Sequence, residues 1–217
     1  MSKRRMAKAL RTRPAPPAEL FDMTPYGGFM PAPDLWAWVC DNILTPGAPL
    51  HNPDHQHLVQ ATVGMLWADG GFKKQGRTVI GQAEQPNFMA GGWKRARQEM
   101  QFYQWFGTIP DFVITLDGMY CHACTDLEFV ALVEHELYHC GQERDAFGAP
   151  KFSRSTGMPC FTIAGHDVEE FVGVVRRYGV GGSDSKLAEL VHAAGQAPEV
   201  SKINVARACG TCVTRVA

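Results

Sequence analysis

Residues 125–140 read Thr125-Asp126-Leu127-Glu128-Phe129-Val130-Ala131-Leu132-Val133-Glu134-His135-Glu136-Leu137-Tyr138-His139-Cys140. Thr125 and Glu128 stand at capping-box spacing, where each side chain can satisfy the other's backbone N–H, and a long apolar run follows. That combination predicts a helix over 125–140. Inside it lies the pattern H-E-x-x-H, His135-Glu136-Leu137-Tyr138-His139. Residues four apart share one face of a helix. His135 and His139 can therefore present both imidazoles to one Zn²⁺ ion, with Glu136 beside an open coordination position. A carboxylate there can take a proton from water that the metal acidifies and pass it to a leaving amine. Leu127, Val130, Ala131, Leu132, Val133, Leu137 and Tyr138 make the helix apolar on most sides, with Tyr138 pointing away from His135 as packing. Two histidines and a glutamate are costly in such surroundings unless ligated or paired.

A catalytic zinc needs a third protein ligand. The stretch Gly165-His166-Asp167-Val168-Glu169-Glu170-Phe171 supplies the candidates. His166 comes first: it falls just before a helix expected over about 167–178, in which Asp167 and Glu170 form a D-x-x-E cap. Glu170 is the alternative ligand.

Outward from this centre, Leu35, Trp36, Trp38, Val39 and Ile43 predict a short amphipathic helix over 34–44, ended by Pro46 and Gly47. Runs rich in β-branched and aromatic residues predict strands at 61–67, 78–84 and 111–116. The polar stretch 68–77 suits an antiparallel hairpin joining the first two. Further helices are expected over 93–106 and 183–194, and the five tryptophans read as core anchors.

The run Ala131–Cys140, the later His166-Asp167-Val168-Glu169-Glu170-Phe171 and the order of strand segments resemble the phage metallopeptidase family. This is a zincin-type group carried by bacteriophages and prophages, similar in layout to SprT-like metallopeptidases. The resemblance covers residues 50–180. It implies an α+β, zincin-like fold with a small mixed sheet packed on the H-E-x-x-H helix. It also implies a zinc-dependent peptidase in which His135, His139 and His166 hold the ion and Glu136 is general base and acid. SprT-like proteins open a helix with a His followed shortly by a Phe, and this chain has one residue more between His166 and Phe171. The expected domain is 34–195, flanked by a basic, Pro-rich segment 1–33 and a tail 196–217. A protein or peptide substrate is expected along the sheet edge beside the helix, pairing through its main chain, with Tyr103 or Tyr120 as oxyanion donor.

The 217 residues are 45% hydrophobic and 20% charged, with a net charge of −1. This excludes a disordered acidic chain and a wholly basic nucleic-acid coat. No apolar run reaches the length of a membrane span, and the N-terminus lacks the apolar core of a secretory signal. The expected location is the cytoplasm, that of a bacterial host if the gene is phage-borne. Residues 1–13 carry six positive charges and no acid, so the remainder carries −7. With Pro14, Pro16 and Pro17 after it, this arm is expected as a solvated start leading into an extended linker, able to touch DNA or RNA.

Seven cysteines fit reduced thiols or metal ligands better than a disulfide framework. Cys121-x-x-Cys124 and Cys209-x-x-Cys212 are two knuckles of the kind that build a structural zinc site, whereas Cys140 and Cys160 read as buried free thiols. His51, Asp54, His55 and His57 fit a metal site or, equally, a turn around Asn52 and Pro53. Two other functions fit the sequence. One is a nucleic-acid-associated adaptor with a structural zinc, four protein ligands and no need of Glu136; the other is a metallohydrolase acting on a non-peptide bond.

Overall fold

Strands β2 (Val63–Ala68) and β6 (Phe112–Asp117) run parallel at the centre of a four-stranded sheet of order β1-β2-β6-β5. The computed structural model describes residues 3–22, 28–74, 77–168, 172–180 and 182–200. Both central strands are nearly continuous apolar runs and nearly all their residues are buried, as expected of strands covered on both faces. The outer strands β1 (Phe29–Pro31) and β5 (Gly81–Glu84) pair antiparallel with β2 and β6 respectively.

This order corrects the expected hairpin between the first two strand segments. β6 lies between β2 and β5, and residues 72–79 fold back on themselves as a separate ribbon, β3 (Phe72–Lys74) with β4 (Arg77–Val79). The physical reason is in the side chains. Gly-Gln-Ala-Glu of β5 alternates buried with more exposed positions, which suits an outer strand, while the apolar runs of β2 and β6 need a strand on each side.

Helices cover both faces. On β2, Trp67 packs against Phe129 of α5 (Asp126–His139), ring centroids 6.3 Å apart. Gly64, of opposite parity, lies under Phe106 of α3 (Gly92–Phe106), where a Cβ would come within 2.7 Å of the ring. Alternate strand residues face opposite sides, so α5 and α3 lie on opposite faces of the sheet. Of the tryptophans, Trp38 and Trp67 are buried core anchors, but Trp93 is 87% exposed on α3. The helix expected over 34–44 is α2 (Pro33–Val39) followed by one wider turn, Cys40–Leu44.

The basic start is not a solvated arm. It forms α1 (Lys3–Arg11), with Ala9 buried and its carbonyl accepting from Trp38 Nε1 at 3.3 Å. Arg13 explains why the chain stays down. Its guanidinium donates to Asp126 Oδ1 at 2.8 Å and to the carbonyls of Cys121 and Cys124, both at 2.9 Å, while stacking over Phe129 at 4.6 Å. Those carbonyls belong to the end of α4 (Gly118–Ala123), where a helix leaves acceptors unsatisfied. Leu20 is fully buried, and Gly118 lies so close that a Cβ would come within 2.6 Å of Leu20 Cδ2.

The centre of the sequence reading holds. α5 begins with the full capping box: Thr125 Oγ1 accepts from Glu128 N at 3.3 Å and Glu128 Oε2 accepts from Thr125 N at 2.9 Å. Its buried residues include Phe129, Val130, Leu132, Val133, Glu136, Leu137 and His139. β7 (Cys140–Gln142) follows with no intervening residue and pairs antiparallel with β8 (Phe161–Ile163). Beyond Ala164 a second compact unit spans Gly165–Ile203. It contains α6 (Val172–Tyr178) and α7 (Lys186–Ala194), the latter capped by Ser185, whose side chain accepts from Ala188 N. The molecule is thus mixed α+β with small sheets. Among the described residues no helix is long and apolar enough to cross a membrane.

Candidate metal centre

Helical spacing brings His135 and His139 together at the C-terminal end of α5, with their Nε2 atoms 3.3 Å apart. Two nitrogens bound at about 2.05 Å to one tetrahedral zinc would be separated by about 3.3 Å, so the pair already has that spacing. The backbone settles the tautomer of His139. Its Nδ1 lies 2.7 Å from the carbonyl oxygen of Ala164, which can only accept, so Nδ1 carries a proton and in the neutral ring the Nε2 lone pair faces His135. A carbonyl partner on the distal imidazole nitrogen is the usual orienting contact of a metal-binding histidine.

Ala164 is held in turn by the ladder, its N–H donating to the His139 carbonyl at 2.9 Å. His166 follows two residues later, which keeps its Cα within about 7 Å of that of Ala164. The donor atoms of His135, His139 and His166 all lie within 4.8 Å of one another. His139 is buried, His135 half-buried and His166 exposed. Glu136 is fully buried and turns toward β5: a Cβ on Gly81 would stand 2.5 Å from Glu136 Oε1 and 2.9 Å from Leu132 Cδ1. The sequence reading named His57 only as a candidate ligand or turn residue, whereas its Nε2 lies 2.6 Å from the Cys140 carbonyl oxygen. It did not reach Gly81 or the Ala164 carbonyl. The signals that could have found them were a glycine inside a predicted strand and the return of a strand just before His166.

The cluster at residues 51–57 is a turn packed on the outside of α5. Asn52 Oδ1 accepts from Asp54 N, and Asn52 Nδ2 donates to Glu134 Oε1 and to Tyr138 Oη, both at 3.0 Å. Tyr138 Oη donates to Asp54 Oδ2 at 2.9 Å, and the His55 ring lies edge-on to Tyr138 with centroids 4.5 Å apart. Burial, with His57 close by, lowers the pKa of His55 to about 4. The ring is therefore neutral at neutral pH, and Glu134 at 3.9 Å forms no ion pair with it there. Tyr138, expected as packing, is half-exposed and serves as the hub of this network.

Of the two cysteine knuckles, Cys121 and Cys124 are free thiols on and just after α4. Their shared hydrogen bond and burial push Cys121 up. The same hydrogen bond, aided by Arg13, holds Cys124 below the ordinary thiol range. Cys140 is buried and pushed up by that burial, as an inert core thiol should be; Cys160 is only half-buried. Glu170, Cys209 and Cys212 lie outside the described residues. Tyr103 is exposed on α3, and Tyr120 is half-buried in α4 with its pKa raised by burial.

Three imidazoles gathered at the end of an H-E-x-x-H helix could hold a metal ion, and such a donor set is that of metal-dependent hydrolases. The putative phage metallopeptidase family model matches residues 36–195, and the chain belongs to that family. No curated protein and no solved structure matches the chain.

Proposed function

We propose that the protein is a zinc-dependent peptidase in which His135, His139 and His166 hold the ion and Glu136 moves the proton. The observation that carries this reading is the 3.3 Å spacing of His135 and His139 Nε2, with His166 within reach of both. When bound, zinc supplies a Lewis acid that acidifies water and polarises a carbonyl. The donor set suits it: three imidazoles satisfy zinc's preference for nitrogen and leave one tetrahedral position for substrate. The buried Glu136 carboxylate, held between α5 and β5, takes the proton from water and returns it to the leaving amine of a protein or peptide substrate.

The test is metal content by mass spectrometry for wild type, His139→Ala and His166→Ala, alongside casein cleavage with Glu136→Ala. One zinc in the wild type, lost with either histidine, and cleavage lost with Glu136→Ala while zinc is kept, is the expected result. Zinc retained by His139→Ala, or cleavage retained by Glu136→Ala, would sink the assignment and favour the adaptor with a structural metal.

A nucleic-acid contact is a second proposal, resting on Arg4, Arg5, Lys8 and Arg11, which are exposed on α1. Because Ala9 and Arg13 are part of the fold, the proper variant replaces those four cations by Ser rather than deleting the segment. Salt-sensitive DNA binding that the variant abolishes supports the contact. Equal binding by both proteins removes it.

A further inference from the structure

We propose that His57 is a positioning residue for the histidine cluster: by donating its Nε2–H to the Cys140 carbonyl, it fixes the passage from α5 into β7 that aims the Ala164 carbonyl at His139. This rests on the metal-centre reading and adds a residue to it.

The passage is unusually abrupt. His139 is the last residue of α5 and Cys140 the first of β7. Between β7 and β8 the hydrogen-bonded pairs include His139 with Ala164 and Glu143 with Cys160. In an antiparallel ladder such pairs alternate with pairs whose N–H and C=O point outward, so Cys140 turns its backbone groups away from β8. Its N–H is used by the Leu137 carbonyl. Its carbonyl sits at the end of a helix, where acceptors have no partner of their own, and His57 Nε2 meets it at 2.6 Å. Since a carbonyl only accepts, His57 carries its proton on Nε2.

His57 is itself anchored. It lies in the 3₁₀ segment Pro53–Gln60, which begins with the Asn52 cap and is tied to α5 through Tyr138, Asp54 and Glu134. The strap therefore holds the last turn of α5 at the helix face and, through His57, at the helix exit. Ala164 stands across the ladder from His139, so the angle at Cys140 determines where the carbonyl that orients His139 Nδ1 lies.

The experiment measures Zn²⁺ affinity of the full chain by competition with a chromophoric chelator, for wild type, His57→Leu and His57→Gln, with thermal unfolding of each metal-free protein as the fold check. Loss of an orienting partner around a metal site costs about 10–100-fold in affinity. His57→Leu is expected to bind zinc that much more weakly, and His57→Gln, which keeps an N–H donor, to recover most of the loss. Affinity of folded His57→Leu within about threefold of wild type overturns the proposal. Long-range ¹H–¹⁵N NMR of the wild type gives a second reading that needs no variant. The Nε2–H tautomer of His57 together with the Nδ1–H tautomer of His139 supports the proposal, and a Nδ1–H His57 overturns it even if His57→Leu fails to fold. A wild type that binds no zinc overturns the metal reading itself, whereas the tautomers still decide the contact, so the two failures are distinct.

Discussion

The Glu136 carboxylate rests where Gly81 has no side chain: a Cβ there would stand 2.5 Å from Oε1. One strand position thus limits where the proposed proton carrier can sit. Gly81→Ala must push Glu136 and Leu132 aside, a small overpacking that costs roughly 1–3 kcal/mol in a close-packed core. Peptidase activity is expected to fall at least about tenfold, since displacing a proton carrier forfeits the about 10²–10⁴-fold such groups contribute, while bound zinc stays at the wild-type level. Zinc lost in parallel with activity would show that Gly81 supports the fold of the centre rather than the place of Glu136.

Stability should fall on mild acidification because of His55. Its folded pKa is about 4, below its ordinary value near 6.5. Between those values the unfolded chain binds a proton that the folded protein refuses, so its contribution is fully present above pH 6.5 and is lost as pH falls toward 4. The slope from this one group approaches about 1.4 kcal/mol per pH unit. Chemical denaturation at several pH values, compared with His55→Phe, isolates it; a variant as acid-sensitive as the wild type would exclude His55 as the cause.

Arg13 should matter for folding more than any other cation of the first 13 residues. Only 14% of its side chain is exposed, and it satisfies two carbonyls and a carboxylate. Arg13→Ala is expected to lower the unfolding free energy by roughly 2–3 kcal/mol, the scale of charge-assisted hydrogen bonds lost to buried acceptors. Arg4→Ala on the exposed side of α1 should change it by less than about 0.5 kcal/mol. Equal midpoints in urea for the two variants would show that the Arg13 contacts contribute nothing.

The thiols should react unequally. Cys124 is half-buried with its pKa held down, while Cys121 and Cys140 are buried and pushed up. The thiolate is the nucleophile, so iodoacetamide should label Cys124 well before the other two in native protein, as read by peptide mass mapping. Added zinc that protects Cys124 would favour the structural site formed with Cys209 and Cys212, and unchanged labelling would count against it.

What could be read from the sequence was local. The capping box at Thr125 and Glu128, the apolar run after it and the i, i+4 histidines are all encoded within a few turns of one helix, and α5 begins and ends within a residue of the expected bounds. Strand order was not local. The short polar link at 68–77 argued for a hairpin, yet the need of β2 and β6 for cover on both sides placed β6 between the strands. The basic start was misjudged for the same reason, since composition records six cations but not that one of them meets the carbonyls of Cys121 and Cys124. At the site, the imidazoles are visible as letters. Their orientation is not, because it comes from the Ala164 and Cys140 carbonyls, which every residue type possesses.

The rungs that join His139 to Ala164 and Glu143 to Cys160 have a consequence for how such a chain can change. They clamp the base of the arm 143–160, so residues farther out can be gained or lost without altering the spacing of His139 and Ala164. The placement of the Ala164 carbonyl against His139 is insulated from the length of that arm. Lys151 returns to that base, its N–H donating to the Glu143 carbonyl and its carbonyl accepting from the Cys160 N–H, so the arm is two short loops. The first carries Phe147 almost fully in solvent, open to new contacts, while the base keeps the Ala164 carbonyl at His139.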